Sequence, residues 1–378
     1  MKILIGADFV PTKLNFGLFK AGDAENLFGI ELMEMLKDAD CRIFNLETPL
    51  TDVLNPIPKC GPNLYAPTAC VNGYQAAKAD LLTLANNHIM DQNVMGLQST
   101  IETLKSAGIS YLGAGINLTE AGKPFILEGE GQKVGIYACA EHEFSIAGEK
   151  YPGANPYDPL ESFDAVHDLS QKSDYTIVLY HGGKENYRYP SPEQQKRCRK
   201  FVEKGADLVI CQHSHCIGCE EKYLAGTIVY GQGNFLFDDD EKETWQTGLL
   251  VVVMNGNISY IPLYKNGNTV RLAEDKEAAD ILNDFFTRSE EIKEPGFIEK
   301  KFIMLAETEY YNYLEIFSGK RNKFIHRIIK KLTHNILSNF YLDSYFDKSS
   351  LLRLENYIDC ETHREFVLGS LKIIGHGK

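Results

Sequence analysis

The sequence predicts an α/β fold, and three observations carry that reading. Short apolar runs alternate with helical patterns through residues 1–275. Side chains with metal-binding or acid–base chemistry follow those apolar runs at their C-terminal ends. Beyond Asp275 the strand signal fades, and helical spacing with frequent Phe and Tyr replaces it.

The elements follow in order. Residues 3–5, 81–84, 134–136, 176–179, 208–210, 228–230 and 249–253 are compact apolar runs, the pattern of strands buried on both faces. Residues 96–106 and 193–204 carry helical spacing and end at Gly108 and Gly205, which act as C-terminal stops. Strand and helix in alternation predict buried sheets covered by helices. Residues 1–270 are therefore read as one α/β domain, and 276–378 as a helical C-terminal extension. The Pro- and Gly-bearing stretches 55–67 and 150–159 read as surface loops within the first domain.

Composition narrows the class. The chain has 378 residues, 44% hydrophobic and 24% charged, which is neither disordered nor fibrous. Its net charge is -13, and residues 1–275 hold all of that excess, with 23 Lys and Arg against 36 Asp and Glu. Such acidity argues against nucleic acid as a partner, because phosphate backbones are held by clustered Lys and Arg. No apolar run approaches the roughly 18 residues of a membrane-spanning helix, and MKILIGADF reads as a first strand rather than a secretory leader. Nine scattered cysteines, an odd number, predict free thiols in a reducing compartment and hence a cytoplasmic protein.

The candidate site residues cluster by position. Asp8 follows run 3–5, and Asn45 and Glu47 follow Ile43 and Phe44. Asn86, Asn87, His88 and Asp91 follow run 81–84. His181 follows 176–179, His213 and His215 follow 208–210, and Asn234 follows 228–230. Open α/β sheets place their sites at this edge. Carboxylates, amide oxygens and imidazoles mixed in this way suit Mn, Fe, Zn or Mg, one ion or two. In an extended segment, positions i and i+2 point to the same side, so His213 and His215 are predicted to face one ion. Taken singly, each feature has a plainer reading. Asn86–Asn87 alone is a turn pair, Asp8 alone a helix N-cap, and a lone His a satisfied core residue. Six such segments in one pattern favour a metal site. Residues 138–145 (ACAEHEFS) bring Glu141 and His142 past run 134–136, either as a substrate contact or extra ligand or as a solvated polar loop.

Read together, these segments resemble the CapA-like proteins of poly-γ-glutamate and capsule synthesis, a branch of the calcineurin-like metallophosphoesterases. The matching text is Gly6-Ala7-Asp8, FNLETPL at 44–50, LANNHIMD at 84–91 followed by Gly96, and LGAG at 112–115. HGGKENYRYPSPEQ at 181–194, GADLVICQHSHC at 205–216 and YGQGNFLFD at 230–238 complete it, over roughly residues 1–265. The resemblance implies a four-layer α/β/β/α sandwich with a metal site on loops at one edge. It implies Asp8, Glu47, Asn87, His181, His213 and His215 as metal ligands, and His88 as the catalytic group that steadies or protonates the leaving oxygen. Asn234 would line the pocket, while Glu185 and Glu221 match family positions without an assigned role. Three departures stand out. Phe9 and Val10 follow Asp8, so the D-x-H ligand pair of ordinary metallophosphoesterases lacks its imidazole. Ser214 replaces a Pro between the two histidines, and Asn93 replaces a Gly, where Asn tolerates the same left-handed backbone.

In the extension, residues 320–346 carry an apolar helical stripe through Phe324, Ile325, Ile328, Ile329, Leu332 and Ile336. Lys320, Arg321, Lys323, Arg327, Lys330 and Lys331 lie in its first part. Such a stripe either packs on the main domain or another subunit, or docks peripherally on an anionic inner-membrane surface or a protein. The leading functional expectation is a metal-dependent hydrolase acting on a small-molecule or polymer precursor of the capsule or envelope. The alternatives are a non-catalytic accessory that binds the polymer or its synthase, and a γ-glutamyl amide hydrolase or transferase.

Overall fold

A computed structural model describes residues 1–237, 243–319 and 336–375. The strands, in chain order, begin with β1 (Lys2–Phe9), β2 (Cys41–Asn45), β3 (Leu81–Thr83), β4 (Ser110–Leu112) and β5 (Ala114–Gly115). Next come β6 (Phe125–Gly129), β7 (Gln132–Ala140), β8 (Gly153–Ala154), β9 (Tyr175–His181) and β10 (Leu208–Gln212). The last are β11 (Glu220–Tyr223), β12 (Gly226–Val229), β13 (Asn234–Leu236), β14 (Thr247–Met254), β15 (Asn257–Asn266) and β16 (Thr269–Leu272).

Two large sheets result. One runs β16-β15-β14-β1-β2-β3-β4 with β13 paired to β1, and the other β11-β12-β10-β9-β7-β6. Their central pairs, β1/β2/β3/β4 and β7/β9/β10/β12, are parallel, so the C-terminal ends of each set lie along one edge. Alternation along β1 shows the layering. Ile3 and Ile5 face the other sheet, joining Ile136, Ile177, Leu179 and Ile210 in a core between the two sheets. Leu4 points the other way, into a core with Phe28, Leu32, Tyr74, Leu97 and Leu104 from the helices on that side. On the far side of the second sheet, Val166, Phe201 and Val202 pack on Val178 and Val209. Helix, sheet, sheet and helix therefore stack as four layers.

Several strands escaped the apolar-run reading because they are short, lie at an edge or mix exposed polar positions with buried ones. β6 alternates half-buried and exposed residues, and β15 carries exposed polar positions. Predicted helices 96–106 and 193–204 are observed as Asn93–Ala107 and Pro192–Glu203. Asn93 does take a left-handed backbone, at φ 59°.

The chain divides into two compact units, 1–298 and 299–378. The division falls beyond residue 275 because helix Asp275–Glu291 belongs to the first unit. Its Phe285 is buried in the inter-sheet core, and the Ser289 hydroxyl accepts the Glu220 N–H at 2.8 Å. The second unit contains helices Ile336–Tyr345, Lys348–Asp359 and Glu361–Gly375, with the Tyr311 hydroxyl donating to Asp343 at 3.0 Å. Most of the basic stripe 320–346 lies outside the described residues. No described helix is long and apolar enough to cross a membrane.

One close approach ties fold to site. A Cβ at Gly248 would stand 2.1 Å from the backbone oxygen of Asn234. Gly248→Ala is expected to cost about 1–3 kcal/mol through this backbone clash. It should also weaken metal retention, because Asn234 holds His215. Thermal melts and metal content of the variant check both effects.

Candidate metal centre

The parallel strands of both sheets end at the same edge, and this brings the candidate residues together. Asp8, Asn45 and Asn234 sit side by side through the β1/β2 and β1/β13 registers. Asp8 is fully buried and accepts the Asn45 amide at 2.7 Å, with its other oxygen 3.2 Å from His215 Nδ1. Asn45 Nδ2 also lies 3.2 Å from His181 Nδ1, and Asn86 donates to Asn45 Oδ1 at 3.0 Å. Asn86 Oδ1 in turn accepts the His88 backbone N–H at 3.1 Å, which fixes the turn carrying Asn87 and His88.

His181 Nε2 is the meeting point of the sheets. Glu47 Oε1 lies 3.2 Å from it, Asn87 Oδ1 3.1 Å and His213 Nδ1 3.2 Å. One N–H cannot satisfy three acceptors, and this crowding of lone pairs is what a cation resolves. Both oxygens of Glu47 and Oδ2 of Asp8 are buried without a hydrogen-bond partner. Buried acceptors left this way are strongly unfavourable unless an ion or water meets them. Glu47, His213 and His215 offer ligand atoms within 4.8 Å of one another, all buried. The donor set is nitrogen and oxygen, with imidazole, and it fits a divalent transition metal or Mg.

The electrostatics agree. Burial, reinforced by the charge of Asp8, raises the Glu47 pKa to about 7. Burial pushes His181 down to about 4 against the pull of Asp8, so its ring is neutral and ligand-ready at pH 7. His213 is likewise lowered by burial and by His181. Burial opposes a charge on His215, yet Glu47 and Asp8 carry it up to about 9. In the metal-free protein this imidazolium partly compensates the two carboxylates. Against the cost of its own burial, Asp8 is held low mainly by His215.

The H-x-H geometry differs from the extended segment read from sequence. β10 ends at Gln212, and His213 and His215 take left-handed backbones at φ 85° and 53°. A bend, not strand alternation, brings their rings to 5.9 Å between centroids. Such conformations are costly for residues with a Cβ and persist where the surroundings impose them. His215 is further fixed by Asn234 Oδ1 at 2.9 Å and by the Trp245 ring at 4.3 Å.

His88 stands beside the cluster, its Nδ1 2.6 Å from Asp91 Oδ2. Asp91 is buried, accepts the Leu64 N–H at 2.6 Å, and pairs with Lys59. Lys59 was not visible from sequence, since 55–67 reads as a surface loop, yet its side chain is only 3% exposed. Lys59→Met should destabilise the protein by roughly 3 kcal/mol, because it strands a buried carboxylate. Urea unfolding tests this, and a shift below about 1 kcal/mol would count against it.

Other candidates lie elsewhere. Glu221, on β11, turns to the helical layer, where it accepts from Arg199 at 3.0 Å and Tyr230 at 2.7 Å. Its register partner Ile228 belongs to that outer core, which is why strand geometry sends it away. Glu141 is held by Tyr180 at 2.7 Å and Arg197 at 3.1 Å, and His142 and Glu185 are exposed. Segment 138–145 does reach the cluster, but through Ser145, whose hydroxyl donates to the Asn87 carbonyl at 2.6 Å. Trp245 was also missed, although a single tryptophan in the chain was the available signal.

The fold and site together define a four-layer α/β/β/α protein with buried nitrogen and oxygen side chains gathered at one sheet edge. The chain belongs to the bacterial capsule synthesis protein family PGA_cap, whose profile matches residues 17–239. It is similar to the capsule biosynthesis protein CapA of Bacillus anthracis, with 30% identity over 59% of this chain and 56% of that one. A probable polyglutamine synthesis accessory protein of Mycobacterium tuberculosis shares 27% identity over 43% of this chain and 46% of its own. The chain thus spans about half the length of these relatives. A putative 5'-nucleotidase from Staphylococcus aureus aligns with a TM-score of 0.42 and 16% identity, over 75% of this chain and 57% of that one.

Proposed function

We propose that this protein is a metal-dependent hydrolase of the metallophosphoesterase type, acting on a phosphoester or related bond in a capsule or envelope polymer or its precursor. The observation that carries the reading is the pair of buried carboxylates, Asp8 and Glu47, with unpartnered oxygens enclosed by three histidines. Asp8, Glu47, Asn87, His181, His213 and His215 would hold one or two divalent ions. Bound there, the metal supplies Lewis acidity toward a phosphoryl oxygen and a water nucleophile near neutral pH.

The chain's own groups do the rest. The Asp91 carboxylate holds the Nδ1 side of His88 and so orients the ring, leaving Nε2 to exchange a proton with the leaving oxygen. Asn45 and Asn86 position Asp8 and the 86–88 turn. Trp245 covers one face of His215. The test is metal content by inductively coupled plasma mass spectrometry, followed by hydrolysis of an aryl phosphate ester. One or two equivalents with turnover support the reading. No retained metal after incubation with Mn, Fe, Zn or Mg would end it.

A second reading has its own support. Phe9 and Val10 stand where an imidazole ligand is expected, and a relative is described as a probable synthesis accessory protein. In that case the cluster binds metal, the protein binds polymer, and no ester is hydrolysed. γ-Glutamyl amides belong in the same screen, since the same centre suits attack on an amide carbonyl.

A further inference from the structure

Beyond the buried cluster, two positive charges meet at the loop that carries His213 and His215. Arg188 Nη1 donates to the Ile217 carbonyl at 3.0 Å, and Arg288 Nε donates to the adjoining Gly218 carbonyl at 2.8 Å. The two guanidiniums come from distant segments, one from the loop after β9 and one from helix Asp275–Glu291, yet they are pinned to consecutive peptide units. Both residues are half-buried. Among the described residues, neither arginine forms a salt bridge with a carboxylate.

Among the described residues, the acids of the neighbouring elements are engaged elsewhere or exposed. Glu221 is taken by Arg199 and Tyr230, and Glu291 by the Tyr189 hydroxyl. Asp284, on the helix of Arg288, is exposed. Burial and the neighbouring Arg188 charge hold the Arg288 guanidinium below the usual arginine range. Two like charges are thus kept together, with the exposed Asp284 as a counter-charge acting on Arg288 and no salt bridge to either guanidinium among the described residues. Tyr187, the residue before Arg188, buries its hydroxyl with no hydrogen-bond partner. Tyr187 and Arg188 are consecutive on the loop after β9, so the orphan hydroxyl and the first guanidinium come from the same turn of chain. The cationic loop is tied to the metal loop directly, since the Asn186 N–H donates to the Ser214 carbonyl at 2.8 Å.

We propose that Arg188, Arg288 and the Tyr187 hydroxyl form an oxyanion site that takes a carboxylate or phosphate group of an acidic ligand beside the His213–His215 loop. Guanidinium forks match the oxygens of either group, and a buried hydroxyl donor completes the acceptor's shell. In a domain with a large excess of acidic residues, an anionic ligand needs such a local cationic point. The site requires neither a bound metal nor turnover, so it stands or falls apart from the hydrolytic reading.

Isothermal titration of the full chain in chelator decides it, with γ-linked triglutamate and inorganic phosphate as probes. At least one probe should bind, less tightly as salt is raised. Arg188→Gln and Arg288→Gln should each weaken binding by about tenfold. Tyr187→Phe should weaken it several-fold at an unchanged or higher melting temperature, because the buried hydroxyl has no partner to lose. Triglutamate binding assigns the site to polymer carboxylates, and phosphate binding alone assigns it to phosphate groups. Binding of neither probe, or equal affinity in all three variants, overturns the proposal. If the arginine variants fail to fold, Tyr187→Phe decides alone.

Discussion

Replacing His213 or His215 with Ala is expected to lower divalent-metal affinity by more than about a hundredfold, well beyond what loss of a supporting residue costs. The reason is geometric. His213 and His215 share a ligand-sized space with Glu47, and His213 Nδ1 lies 3.2 Å from His181 Nε2, so either ring is a large part of the donor set. Backbone strain must be separated from ligand loss, since His213 stands at φ 85° and Ala is no more at ease there. His213→Asn makes that separation, because Asn tolerates the left-handed region. Both His213 variants should lose metal alike. In chelator, His213→Asn should melt at or above the parent temperature. Metal content unchanged in the His213 and His215 variants would remove these residues from the ligand set.

The layered fold was legible because burial writes itself into short apolar runs, and the clustered polar residues because each follows such a run at a parallel strand's end. Asp8, Asn45 and His181 are the terminal or near-terminal residues of β1, β2 and β9, so reading the strands nearly amounted to reading the site. What the one-dimensional pattern could not show was long-range. Lys59 reaches Asp91 across 32 residues from a loop with ordinary surface composition. Trp245 covers His215 from a segment with no strand or helix pattern of its own.

Side-chain direction was the other limit. Glu141 and Glu221 sit at plausible positions in sequence, but local strand geometry and the arginines of helix Pro192–Glu203 draw both to the outer layer. Spacing gives a residue's place along a strand. Which partner wins its charge depends on helices that arrive from elsewhere in the chain. The H-x-H pair shows the converse, since its ring proximity survives although the extended geometry that predicted it does not.

Glu47→Gln is expected to raise the stability of the metal-free protein while removing metal binding. Glu47 is fully buried, both of its oxygens lack partners, and its pKa is raised from 4.5 to about 7 by burial and by Asp8. A carboxyl whose folded pKa lies above its unfolded value favours folding when protonated. That contribution is fully present below pH 4.5 and is lost as pH rises through about 7. Above pH 7 the parent therefore bears a penalty of roughly 3 kcal/mol for keeping this carboxylate ionised in the interior. Gln carries no such charge, and it removes the repulsion between Glu47 and Asp8. In chelator at pH 8 the variant should melt several degrees above the parent, and the gap should close toward pH 4.5. Added Mn or Zn should reverse the order, since only the parent gains stability by binding the ion. A variant less stable than the parent in chelator at pH 8 would mean that Glu47 is already satisfied without metal, and the argument from its orphaned oxygens would fail.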